Sequence, residues 1–159
     1  MTDFAAMLGA LVRHDVAFIV VGGAAAIAHG SVRLTSDLHI VYRRTPANLD
    51  RLVAALVEHQ PYLRGAPPGL PFHWDKTTLL RGLNFTLISS LGDIDLLGEI
   101  PGGGIYEDLL PGAIDLSVFG MRCRCLSLAQ LIQAKRAAGR PRDLEVLAEL
   151  EAIQEEGRS

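Results

Sequence analysis

The apolar run Ala17-Phe18-Ile19-Val20-Val21 stops at Gly22-Gly23, and this break constrains the chain more than any other feature. A continuous apolar, β-branched stretch closed by glycine reads as a strand buried on both faces, which needs a sheet covered by helices. Two further strands carry acid into that sheet. Asp37-Leu38-His39-Ile40-Val41-Tyr42 opens with a carboxylate, and Gly92-Asp93-Ile94-Asp95-Leu96-Leu97 holds two. Side chains two apart on a strand project to one face. Asp37 and His39 therefore share a face opposite Leu38, Ile40 and Tyr42, while Asp93 and Asp95 share one opposite Ile94 and Leu96.

Around these strands, hydrophobic spacing and punctuation residues set the other elements. Phe4, Met7, Leu8, Leu11 and Val12 recur at helical spacing, which predicts an amphipathic helix over about residues 3–14. Residues 24–29 read as a short helix ended by Gly30. Thr45-Pro46 supplies an N-cap and a first-turn proline for a helix running to about residue 59. About one helical turn is expected over residues 75–80, and strands over 85–88 and 94–97. Gly102-Gly103-Gly104 reads as a flexible loop before a short helix at 106–109. Residues 114–119 and 121–126 flank Gly120 as a β-hairpin. Ser127 caps a helix through Ala138, Gly139 ends it, and Pro141 starts the last helix, through about Ile153. The Gly- and Pro-rich segment 61–72 reads as a mobile surface loop inside one domain, because an acidic strand lies beyond it. The expected fold class is α/β (α+β), a mixed sheet flanked by helices, with residues 1–159 as a single domain.

With 49% apolar and 21% charged residues, the chain can fill a core and is not disordered. A net charge of −3 and a pI of about 5.9 give no global pull toward nucleic acid, so any such contact needs a local patch. Cys123 and Cys125 lie two apart on one predicted strand, which is poor geometry for a disulfide. Zinc there needs two more ligands, and the five histidines are scattered, so the thiols read as structural and reduced. The N-terminus carries Asp3 where a signal peptide has basic residues, and the apolar run 17–28 is too short to span a bilayer. A cytoplasmic protein without membrane contact is expected. No serine has the context of a nucleophile elbow.

The blocks Val20-Val21-Gly22-Gly23, Gly30-Ser31-Val32-Arg33-Leu34-Thr35-Ser36-Asp37 and Asp93-Ile94-Asp95 together resemble the nucleotidyltransferase superfamily of the DNA polymerase β type. The second matches its G-x-x-R-x-T-x-D stretch, and Asp37 follows the glycine pair by about fourteen residues. Lys135-Arg136-Ala137-Ala138-Gly139-Arg140-Pro141-Arg142-Asp143 also resembles a basic stretch of small bacterial members near the AbiEii toxin-type proteins. The resemblance spans about residues 17–150 and implies a polymerase β-like core. It implies Asp37 as the first metal-binding carboxylate and Asp95 as the third, with Asp93 the runner-up. Gly22 and Gly23 would approach the triphosphate through their main chain. Lys135 would reach its phosphates, and Arg33 would steady them or pair with Asp37. Arg140 and Asp143 read as a structural link at the helix junction.

That chemistry needs a held triphosphate, neutralised oxygens and an aligned hydroxyl. Two magnesium ions roughly 3.5–4 Å apart supply this simply, and magnesium takes carboxylate oxygen. The second Asp of the implied Asp-x-Asp is His39 here. Imidazole carries no charge to offset a dication. Three consequences stay open: NTP binding without catalysis, a single ion or one such as manganese or zinc that accepts nitrogen, or charge supplied by Asp93. The expected function is metal-dependent transfer of a nucleoside monophosphate from NTP, with Mg²⁺ or Mn²⁺, to a hydroxyl of a small molecule, protein or RNA end. The alternative is a catalytically degenerate nucleotide-binding or toxin–antitoxin-type interaction module, acting with a partner protein or as a homodimer.

Overall fold

The computed structural model describes residues 1–158. Helix α1 (Phe4–Arg13) is capped by Asp3, whose carboxylate accepts from the Ala6 amide at 3.0 Å, and it buries Met7, Leu8 and Leu11. Strand β1 (Phe18–Val21) is buried throughout. Helix α2 (Gly22–Ala28) follows it directly, so the helix starts at the glycine pair, ahead of the expected residues 24–29. Strand β2 (Asp37–Tyr42) leads to α3 (Pro46–Leu56), which Thr45 caps by accepting from the Asn48 amide. A single 3₁₀ turn, Val57–His59, ends it.

The segment expected to be loop contains a two-residue strand, β3 (Tyr62–Leu63). Helix α4 (Lys76–Arg81), capped by Asp75, precedes strands β4 (Phe85–Ser89) and β5 (Gly92–Leu97). A small ribbon of β6 (Glu99–Ile100) and β7 (Gly104–Ile105) leads into α5 (Tyr106–Leu109). The hairpin β8 (Ile114–Val118) and β9 (Met121–Cys125) turns at Gly120, and α6 (Leu128–Ala138) and α7 (Pro141–Arg158) end the chain. Gly139 takes a left-handed conformation (φ 65°) and stops α6.

Seven strands form one mixed sheet in the order β3-β4-β5-β2-β1-β9-β8, flanked by helices. Strands β2 and β5, far apart in sequence, pair in parallel, as do β1 and β9, while the other neighbours run antiparallel. Leu38, Ile40, Ile94 and Leu96 have no solvent exposure, so one face of the β2/β5 pair is core. The opposite face holds the acids. Cys123 and Cys125 are free and buried, and burial pushes their thiols up to about 11 and about 12, as suits inert core residues. Among the described residues, no helix is long and apolar enough to cross a membrane.

Candidate functional site

Parallel pairing sets the site. The register places Asp37 beside Asp93 and His39 beside Asp95, which brings the two acidic faces into one patch. The N-terminus locks that register. Thr2 Oγ1 donates to the Ser36 carbonyl at 2.6 Å and accepts from the Asp93 amide at 3.0 Å, tying the starts of both strands together. Gly92 (φ 116°) permits this approach, because a Cβ there would lie 2.4 Å from Thr2 Cα.

One ligand atom from each of Asp37, His39 and Asp95 falls within a 4.8 Å group, the spacing of a metal centre. His39 Nε2 stands 3.1 Å from Asp37 Oδ2 and 3.1 Å from Asp95 Oδ2. Burial opposes protonation of this ring, but the Asp95 carboxylate and then Asp37 outweigh it and raise its pKa above the ordinary histidine value. For Asp95, burial works against ionisation, yet His39 and Arg64 prevail and hold the carboxyl below its usual range. His39 Nε2 and Asp95 Oδ1 are nevertheless buried without a partner in hydrogen-bond geometry. Two carboxylates and an imidazole with one ligand atom each inside 4.8 Å form a donor set that fits a divalent cation.

Sequence reasoning missed Arg64, which sits just past β3. Its guanidinium reaches all three aspartates: Nη2 is 2.8 Å from Asp95 Oδ1, Nη1 3.4 Å from Asp37 Oδ2 and Nε 3.5 Å from Asp93 Oδ2. The Arg64 amide donates to the Thr86 carbonyl at 3.0 Å and its Nη2 to Leu87 O at 2.7 Å, so the sheet edge fixes this cation. The one signal available was a lone arginine inside a Gly- and Pro-rich stretch.

The glycine pair has a steric role here. Gly22 is left-handed (φ 65°), and a Cβ on it would lie 3.1 Å from His39 Nδ1. A Cβ on Gly23 would lie 2.7 Å from Thr35 Oγ1. Both glycines therefore let α2 seat against the entry to β2. They line a cleft of about 780 Å³ together with Asp37, His39 and Asp95 and with the basic side chains of Arg33, Lys135, Arg140 and Arg142.

Buried Asp143 organises the basic wall. It accepts from Arg140 Nε at 2.6 Å and lies 3.3 Å from Lys135 Nζ, and the Arg140 hydrogen bond leads in lowering its pKa to about 2. Arg33 does not pair with Asp37. It lies 3.6 Å from Glu149 on α7, and Glu149 also accepts from Ser31 Oγ at 2.6 Å and from the Val32 amide at 3.2 Å, which pins the loop. His29 bonds the Leu126 carbonyl at 2.8 Å.

No family model matches the chain, and no curated protein matches it in sequence. Solved structures match in fold. The chain is similar to the lincosamide antibiotic adenylyltransferase LnuA in its lincomycin-bound crystal structure, with a TM-score of 0.61 and 12% identity over 94% of this chain and 95% of that one. It is also similar to the antibiotic-resistance factor ANT(2'')-Ia, with a TM-score of 0.54 and 15% identity over 98% of this chain and 89% of that one. The mixed sheet with its flanking helices is thus the fold these nucleotidyltransferases carry.

Proposed function

We propose that the protein is a nucleotidyltransferase of one domain, residues 1–159, that moves a nucleoside monophosphate from NTP to a hydroxyl of a small molecule. The observation that carries this reading is a single cleft with Asp37, His39 and Asp95 on one side and Arg33, Lys135, Arg140 and Arg142 on the other. A triphosphate is the ligand whose charge suits the basic wall, and its α-phosphorus is the part that belongs at the acidic side. The acidic pI argues against a long nucleic-acid acceptor, and the likeness to a lincomycin-bound enzyme favours a hydroxylated small molecule.

Asp37, His39 and Asp95, with Asp93 at their edge, would hold a divalent cation, which when bound offsets charge on phosphate oxygens and favours ionisation of the attacking hydroxyl. Lys135 and Arg140, fixed by Asp143, hold the departing pyrophosphate. The Glu149 latch keeps Arg33 at the rim to steady the chain of phosphates. Gly22 and Gly23 keep the floor open enough for the phosphates to approach main chain. The acceptor oxygen bonds the α-phosphorus as the bond to pyrophosphate breaks, and catalysis is positioning plus charge stabilisation. The reduced thiols suit a cytoplasmic location.

The test is α-labelled NTP with a panel of divalent ions and hydroxylated acceptors, lincomycin among them. A labelled acceptor heavier by one nucleoside monophosphate, with pyrophosphate released, supports the reading. Pyrophosphate release no faster than that of Asp95→Asn under every condition sinks it. His39 supports a second reading, a nucleotide-binding interaction module, which predicts NTP binding with no turnover.

A further inference from the structure

We infer that this centre takes a single first-row transition ion, held by Asp37, His39 and Asp95, and that Arg64 serves in the place of a second cation. The inference concerns the same cleft and, for its role in catalysis, rests on the transferase reading. The donors speak first. Magnesium demands oxygen, whereas zinc, cobalt and their neighbours accept imidazole readily. Donors that share an ion at ~2.0–2.2 Å stand roughly 3–3.5 Å from one another. His39 Nε2 is buried and lies 3.1 Å from an oxygen of each carboxylate.

Arg64 closes the cluster, with Nη1 at 3.4 Å from the same Asp37 Oδ2 that faces His39. Asp95 divides its oxygens, Oδ2 toward His39 and Oδ1 toward Arg64 at 2.8 Å, and the same guanidinium spans Asp37 and Asp93. With His39 neutral, the carboxylates of Asp37, Asp93 and Asp95 are balanced by Arg64 and one dication. In the nucleotide-free cleft a second dication would leave a surplus of positive charge beside these part-buried carboxylates, which disfavours its binding. The Arg64 guanidinium is steadied there by Nη2, which also donates to the Leu87 carbonyl of β4 at 2.7 Å. The guanidinium therefore supplies permanently the charge that a second ion would bring.

The experiment is titration of the metal-free full chain with Co²⁺, Zn²⁺ and Mg²⁺, followed by calorimetry and by the visible spectrum of bound Co²⁺. One ion per chain is expected, with Zn²⁺ or Co²⁺ bound about a hundredfold more tightly than Mg²⁺. His39→Asp should reshape the Co²⁺ spectrum and narrow that preference. Arg64→Met should raise the stoichiometry toward two. Circular dichroism and thermal melts verify that both variants fold.

Two Mg²⁺ per wild-type chain, a Co²⁺ spectrum indifferent to His39→Asp, or no binding at millimolar ion overturns the inference. An unchanged stoichiometry in folded Arg64→Met overturns the part assigned to Arg64. The two readings fail separately. One tightly bound Zn²⁺ without nucleotidyl transfer refutes the transferase reading alone, and transfer fastest with Mg²⁺ refutes the single-ion inference alone.

Discussion

Asp95 is the residue on which the cluster turns, since it answers His39 with one oxygen and Arg64 with the other. Asp95→Asn keeps the shape and removes the charge, leaving Arg64 and the ion that His39 would help hold facing a neutral amide. Loss of one metal's stabilisation of the transition state costs several kcal/mol, so turnover should fall about a thousandfold. Pyrophosphate release at saturating NTP measures this. Asp143 gives a pH prediction. Its pKa of about 2 when folded lies below the ordinary 3.8, so it contributes stability at pH values above the ordinary value. That contribution is lost as pH falls through about 4 toward 2, when the carboxyl takes up its proton and releases Arg140 and Lys135. Urea melts between about pH 5 and pH 2 should show a steep acid limb in wild type and a flatter one in Asp143→Asn.

At the scale of elements, α2 and β2 depend on the absence of side chains between them. Gly22→Ala forces a left-handed alanine and drives its Cβ against the His39 ring. The cost should be about 1–3 kcal/mol in a urea titration, with weakened metal affinity because His39 is pushed out of register with Asp95. Here the limits of the sequence become physical. Strand period two makes legible that Asp37 and His39 share one face and Asp93 and Asp95 another. The preference for Asp95 comes from the family resemblance, and the parallel register sets Asp95 beside His39. The glycine pair was legible as important, but its contact with His39 and Thr35 is a tertiary fact. Strand β3 is two residues long, too short for any period, and so Arg64 stayed hidden in a segment read as loop. Of the two roles the sequence offers Arg33, steadying phosphates or pairing with Asp37, the structure shows no Asp37 pairing, because Glu149 reaches Arg33 from α7, more than a hundred residues away in the chain.

On the scale of the whole molecule, the cleft is assembled from both ends of the chain. Thr2 fastens the acidic strands at one side, and α6 and α7 carry the basic wall at the other. The acids are paired with Arg64, while Asp143 pairs Lys135 and Arg140 and Glu149 pairs Arg33. The cleft is assembled before any ligand arrives, and bound nucleotide adds contacts that only the native state offers. Binding of NTP with a divalent ion to the native state alone should therefore stabilise the entire fold. At a nucleotide concentration of about one hundred times Kd, linkage gives about 2.7 kcal/mol. For a chain of this size that corresponds to roughly 5–10 °C in Tm. Lys135→Met removes one cation from the wall without touching the acidic cluster, so its shift with NTP and metal should shrink while its shift with metal alone stays as in wild type. Differential scanning fluorimetry with metal alone, and with NTP plus metal, separates the two. An NTP-dependent shift as large in Lys135→Met as in wild type would place the triphosphate elsewhere and detach the basic wall from the site.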